Sequence, residues 1–166
     1  MKTILTTILA TLILLSCSSQ LRLDTAKYAI FNDKNSVSRY FNNCKAASLT
    51  EIEIIEIESL LTNRIYDYNK SQIKYYKALN KKINLNLDFA KDTIVLDKYK
   101  RQIVSVTNRR GDKEVWINCF RPFSNTQFDY WKKQIVFVND GGNYFFNIKI
   151  NVTRKKCYYL YVNAVA

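Results

Sequence analysis

The chain contains no histidine. Imidazole is the commonest general base near neutral pH and the commonest nitrogen ligand for metals. Its absence excludes Ser-His-Asp and Cys-His catalysis and every zinc site that uses histidine. No catalytic residue, metal ligand or cofactor is assigned. Proline occurs once and glycine three times in 166 residues. The three glycines fall in two stretches, Asn108-Arg109-Arg110-Gly111-Asp112 and Asp140-Gly141-Gly142-Asn143, and both read as turns. Acidic residues are scarce, 14 against 26 Lys and Arg, for a net charge of +12. Four cysteines are present without a CxxC pair.

Long apolar runs are also missing, with one exception at the start. Lys2 precedes an apolar core from Ile4 to Leu15. That core is too short to span a bilayer, which needs about 20 residues, and suits a signal sequence. It closes with Leu14-Leu15-Ser16-Cys17, followed by Ser18-Ser19. These four residues resemble the lipobox of bacterial lipoproteins. The resemblance implies cleavage before Cys17, lipidation of its thiol and acylation of the new amino terminus. Several acyl chains hold far more firmly than one, because each buried methylene contributes about 0.8 kcal/mol. The alternative is an ordinary secretory signal with a chance cysteine.

Hydrophobic residues make up 48% of the chain and aromatic ones 14%, which argues against wholesale disorder. Residues 1–16 read as the signal peptide, 17–43 as a tether and irregular N-terminal segment, and 44–166 as a single α+β domain. The positive charge suits attraction to an anionic surface, lipid or polysaccharide; the alternative is codon bias, since Lys, Asn, Ile and Tyr are abundant together. No nucleic-acid partner is expected for an exported protein. With Cys17 assigned to lipid, Cys44, Cys119 and Cys157 remain. An oxidising envelope permits one disulfide among them; buried free thiols are the alternative. Cys44 is expected to be exposed, and Cys119 and Cys157 to lie on strands.

Residues 48–79 read as one long helix. Two overlapping capping boxes open it, Ser48-x-x-Glu51 and Thr50-x-x-Glu53. Ile54, Ile57, Leu61, Ile65 and Tyr68 draw one apolar stripe. Glu51, Glu53, Glu56 and Glu58 sit in the early turns, favoured by the helix dipole, and read as a solvated face. Lys81-Lys82 mark the end. Ile83 to Leu87 alternates like a strand. From Tyr99 the pattern is β. Residues 102–107 and 114–120 form a hairpin around the first glycine turn, 134–138 a third strand, 144–152 a fourth and 157–162 the last. Ala29 to Phe31 with Val37, Tyr40 and Phe41 read as a short first element packed on the domain.

The expected architecture is α+β, one long N-terminal helix packed on a curved antiparallel sheet of four to five strands. This element order is similar to the cystatin-like folds over residues 48–163. Cystatin inhibitors carry a Q-x-V-x-G hairpin, and Gln102-Ile103-Val104-Ser105-Val106 keeps the first two marks and lacks the glycine. The block from Tyr99 onward, with Trp116-Ile117-Asn118-Cys119 and Asp140-Gly141-Gly142, also resembles small Gram-negative envelope lipoproteins and implies no particular activity.

Two surface sets stand out. Tyr75, Tyr76, Phe123, Phe128, Tyr130, Trp131, Lys132 and Lys133 combine rings with cations, as contacts to a glycan or a lipid interface do. Of these, Phe128, Tyr130, Trp131, Lys132 and Lys133 are the candidate partner contacts. The alternative is an aromatic plug over the end of the sheet. Tyr158, Tyr159 and Tyr161 with Arg154-Lys155-Lys156 are the second candidate site; the alternative, which is favoured, is an edge strand guarded by cations. Trp116 is expected to face the helix and Trp131 to be partly exposed.

The expected protein is therefore a lipid-anchored binding module for a protein or glycan partner. It is placed in the cell envelope on the outer membrane of a Gram-negative bacterium. An inhibitor or immunity-type lipoprotein, wedging Arg109-Arg110-Gly111-Asp112 or Asp140-Gly141-Gly142 into a hydrolase, is the runner-up. An enzyme built on Asp, Glu, Tyr or Lys comes third. A concave aromatic face would favour the binder.

Overall fold

A computed structural model describes residues 25–83, 89, 93–122 and 129–164. Cys17, Phe123 and Phe128 lie outside the described residues, as does the alternating stretch after Ile83. In chain order the elements are β1 (Tyr28–Phe31), α1 (Lys34–Tyr40), β2 (Lys45–Ala46), α2 (Glu51–Ile83), β3 (Lys100–Thr107), β4 (Lys113–Phe120), β5 (Phe145–Asn151) and β6 (Lys156–Val162).

The helix-on-sheet architecture is as expected, with two corrections. The long helix is not the first element, because β1 and α1 precede it within residues 17–43. The sheet has six strands and is mixed: β1 runs parallel to β3, β2 pairs antiparallel with the end of β3, and β3 to β6 follow as an antiparallel meander. The order across the sheet is β1-β3-β4-β5-β6, so β6 is an edge.

Helix α2 begins where its capping box places it. The Thr50 amide donates to Glu53 Oε2 at 2.8 Å, and the Glu53 amide donates to Thr50 Oγ1 at 3.2 Å. Its apolar stripe buries Ile54, Ile57, Leu61 and Ile65. Ile57, Leu61 and Ile65 meet Ile103, Val115, Ile117, Cys119, Phe146, Ile148 and Ile150, the side chains on one face of the sheet.

The early glutamates are not simply solvated. Glu58 takes a two-pronged grip from Arg101, with Nε and Nη2 each at 3.1 Å from a carboxylate oxygen, and Arg101 is 2% exposed. Glu53 accepts from Lys113 at 2.6 Å and Glu56 from Lys155 at 2.6 Å. Three carboxylates on one helix thus pin it across the sheet from β3 to the β5–β6 turn.

Trp116 corrects the parity expected for β4. Val115, Ile117 and Cys119 face α2, so Trp116 points the other way, yet it is 6% exposed. The opposite face is covered as well. α1, N-capped by Asp33, lays Val37 on Val104, Val106 and Trp116 together with Phe31 and Phe41. Tyr40 stacks on Trp116 with ring centroids 3.5 Å apart.

The expected strand at 134–138 is an irregular segment outside the sheet. Amide side chains hold it in place of a ladder. Gln102 Nε2 donates to the Trp131 and Gln134 carbonyls at 2.6 and 2.7 Å, and Gln102 Oε1 accepts from the Val136 amide at 2.8 Å. Asn118 Nδ2 donates to the Val136 carbonyl at 2.8 Å and to Gln102 Oε1 at 3.0 Å.

Hydrogen bonds and cations hold several carboxyls below the usual range. Donation from Lys113 does so for Glu53, donation from Ser36 for Asp33, and donation from Asn151 and then Arg154 for Asp112. A depressed folded value means that the stabilisation is fully present above the unfolded carboxylate range and disappears as pH falls through the folded values. Thermal melts should give a level Tm from about pH 7 to pH 5 and a falling one below about pH 4. A Tm that rises on acidification would contradict these pairings.

Candidate functional site

The face opposite α2 is covered over β1, β3 and the end of β4 and open over β5 and β6. The result is a groove of about 640 Å3. Its floor is Trp116, Asn118, Asn147 and Lys149 from β4 and β5. One side is α1 with Arg39 and Tyr40, joined by the 136–139 segment; the other is the β6 edge with Tyr158, Tyr159 and Tyr161.

A β-bulge places three tyrosines on that side. Lys149 pairs with Tyr159 and Ile150 with Cys157, so Tyr158 is the extra residue. Cys157, Leu160 and Val162 pack toward α2, and Tyr158, Tyr159 and Tyr161 all line the groove. Each of the three is roughly half exposed, at 47%, 45% and 48%. A tandem Tyr158-Tyr159 interrupting an alternating strand is the sequence signal for this, since one inserted residue resets the parity.

The polar groups of the groove divide into spent and unspent. Lys149 Nζ donates to the Tyr40 carbonyl at 2.7 Å and sits 4.7 Å from the Phe41 ring centre. Arg39 lies over Phe137 at 5.6 Å. The Tyr158 hydroxyl donates to Glu114 Oε2 at 2.9 Å; burial first, then this carboxylate, pushes the phenol above its usual range. The side chains of Asn139, Asn147, Tyr159 and Tyr161 carry no such hydrogen bond among the described residues. They offer donors and acceptors to whatever enters.

The expected contact set is divided by the fold. Trp131 is partly buried, wedged between the packing around Trp116 and that around Phe120. Its ring meets Phe120 edge-on at 6.0 Å, with Lys100 and Lys132 Nζ 5.6 and 5.5 Å from its centre. Tyr130 and Lys133 line a neighbouring hollow of about 590 Å3 with Asp33, Ser36 and Gln134; Arg39 and Phe137 belong to both hollow and groove. Lys132 is exposed. Tyr75 and Tyr76 lie on the far half of α2, where Tyr76 packs on Phe89 at 5.1 Å. Sequence reasoning took the β6 tyrosines for edge protection and missed that the groove is built around them.

Two carboxylates converge at the other end of the sheet. Asn151 Nδ2 donates to Asp112 Oδ2 at 3.1 Å and to Glu114 Oε1 at 3.2 Å, Asn108 Nδ2 donates to Glu114 Oε1 at 2.6 Å, and Arg154 pairs with Asp112 at 2.7 Å. This network knits the two hairpin turns and keeps Asp112 ionised. Arg109 and Arg110 remain exposed at the tip. Cys44, Cys119 and Cys157 are free thiols, with Cys119 fully buried and Cys44 and Cys157 partly so.

A tyrosine-lined groove on the open face of a helix-backed sheet has the form of a binding surface, concave with a few convergent polar groups. Comparison with family models, with curated proteins and with solved structures finds no match.

Proposed function

We propose that the protein is a lipid-anchored, non-catalytic binding module of the cell envelope, held through Cys17 to the outer membrane of a Gram-negative bacterium, and that it binds a glycan chain in the tyrosine groove. The observation that carries the reading is the pairing of exposed Tyr159 and Tyr161 rings with the unspent amides of Asn139 and Asn147. Sugars present apolar faces that stack on rings and hydroxyls that pair with amides. The groove also carries Arg39 and Lys149 and, among the described residues, no carboxylate, which suits neutral or acidic saccharides. The exposed Arg109-Arg110 tip is the feature that a hydrolase-inhibitor reading would draw on.

The test is binding of envelope polysaccharide fractions to the wild type and to Tyr159→Ala/Tyr161→Ala. Each aromatic contact contributes about 1 kcal/mol, so the double variant should lose about thirtyfold in affinity. Unchanged retention would move the partner away from the groove. Inhibition of an envelope hydrolase that is lost on mutating Arg109 and Arg110 would favour the inhibitor.

The anchor has its own test. Cys17→Ala should release the protein from membranes while leaving its melting curve unchanged, because residue 17 lies ahead of β1, the first strand among the described residues. Fractionation that still finds the variant on membranes would reject lipidation at Cys17.

A further inference from the structure

We propose that the second half of α2 docks on the headgroups of an anionic bilayer through a stripe of lysines; the proposal rests on the lipid anchor at Cys17. The first half of the helix, Glu51 to Asp67, carries five carboxylates and one arginine. The second half, Lys70 to Ile83, carries five lysines and no carboxylate. Lys70, Lys74, Lys77 and Lys81 follow steps of four, three and four residues, which puts them on one face. Nine residues separate Leu61 from Lys70 and Ile65 from Lys74; nine residues are about two and a half turns, so the stripe lies opposite the core-facing side. All four lysines are exposed, and no carboxylate among the described residues pairs with them.

Position selects the membrane as occupant. Glu53 ties the start of α2 to Lys113 at the β3–β4 turn. Asn69 ties its middle to Ile94, donating to the carbonyl at 2.9 Å and accepting from the amide at 3.1 Å, just ahead of β3. Beyond Asn69 the helix continues for 14 residues, about 21 Å at 1.5 Å per residue. The chain enters the fold at this same end, since Lys27 pairs with Asp97 and Lys100 donates to the Ala26 carbonyl. Eight residue steps from Cys17 to Thr25 span at most about 28 Å. The lysine half of α2 is therefore at the anchored end of the domain, within the distance the anchor allows. No helix among the described residues is long and apolar enough to cross a membrane, so α2 acts from the surface, where each lysine near an anionic bilayer contributes through the surface potential.

The experiment uses the full lipidated chain reconstituted in phosphatidylethanolamine vesicles, with and without phosphatidylglycerol. Lysines are modified by a water-soluble acetylating reagent and read by peptide mass spectrometry. With phosphatidylglycerol, modification of Lys70, Lys74, Lys77 and Lys81 should slow by about fivefold, the factor that about 1 kcal/mol per lysine gives. Lys45 and Lys156 should react alike in both vesicles. About 1 M salt, which shortens screening to about 3 Å, should abolish the difference. Equal rates for the four lysines in both vesicles, or slowing of every lysine alike, would overturn the proposal. The same spectra read the mass on Cys17. If it carries no acyl chain, the anchor reading fails by itself. Co-sedimentation of that chain with phosphatidylglycerol vesicles, lost in Lys70→Gln/Lys74→Gln/Lys77→Gln/Lys81→Gln, would then sustain the docking, and no co-sedimentation would reject it.

Discussion

Leu61→Asp is expected to leave the domain unfolded at room temperature. Leu61 is fully buried, in the middle of the apolar stripe on the first half of α2, among Ile57, Ile65, Ile117 and Ile148. Truncating a buried leucine costs about 2–5 kcal/mol in lost transfer energy and cavity. A carboxylate placed there without a cation adds several kcal/mol more, or takes up a proton at similar cost. The sum is comparable with the whole stability of a domain, about 5–15 kcal/mol. Circular dichroism of Leu61→Asp should show loss of the cooperative melt. Ser59→Asp, on the exposed side of the same helix, should melt as the wild type does. A Leu61→Asp melt within a few degrees of wild type would mean that the stripe does not face the sheet.

The stripe and its start were legible because both are local. The Thr50-x-x-Glu53 box sets the first turn, and Ile54, Ile57, Leu61 and Ile65 repeat with the helical period. The Gly111 turn was legible for the same reason: its φ of +84° is open to glycine at little cost. Gly141 has φ of +88°, and a Cβ there would lie 2.7 Å from Phe145.

What sequence reasoning missed depends on contacts far apart in the chain. It gave the sheet one covered face, whereas Ile103-Val104 and Val115-Trp116-Ile117 are consecutive buried residues, the pattern of strands covered on both sides. β1 has four residues, too few for a period to identify a strand, and its parallel pairing arises because α2 carries the chain back from the β3–β4 turn to the start of β3. The segment at 134–138 reads as a strand because Ile135, Val136, Phe137 and Val138 make an apolar run. Its partners are two side-chain amides, Gln102 and Asn118, so no backbone ladder forms. The groove follows from these three features together, and its one local signature is the tandem tyrosine at the β6 bulge.

Gln102→Leu should loosen the 131–136 segment and remove one wall of the groove. Gln102 is fully buried on β3, and its single amide serves the Trp131 and Gln134 carbonyls, the Val136 amide and Asn118. Leucine has a similar volume and fills the site without leaving a large cavity. It cannot pair with any of the four groups, and each buried group left unsatisfied costs about 1–3 kcal/mol. Asn118 keeps its bond to the Val136 carbonyl, so the buried Val136 amide bears most of the loss, with the part-buried Trp131 and Gln134 carbonyls adding less, unless the segment moves out to water. Moving out exposes Val136, which is 2% exposed and packs on Phe120 and Phe145. Either route costs about 3 kcal/mol, or about 10 °C in Tm for a domain of this size. Release of the segment also moves Trp131 and Phe137, and with Phe137 the side of the groove that Arg39 stacks against. Acrylamide quenching in a Trp116→Phe background, where Trp131 is the one reporter, should rise sharply on adding Gln102→Leu. Glycan retention in the groove should fall together with the rise in quenching. If Tm drops while quenching stays level, the segment is held by Trp131 and Val136 packing alone and Gln102 serves stability without shaping the groove.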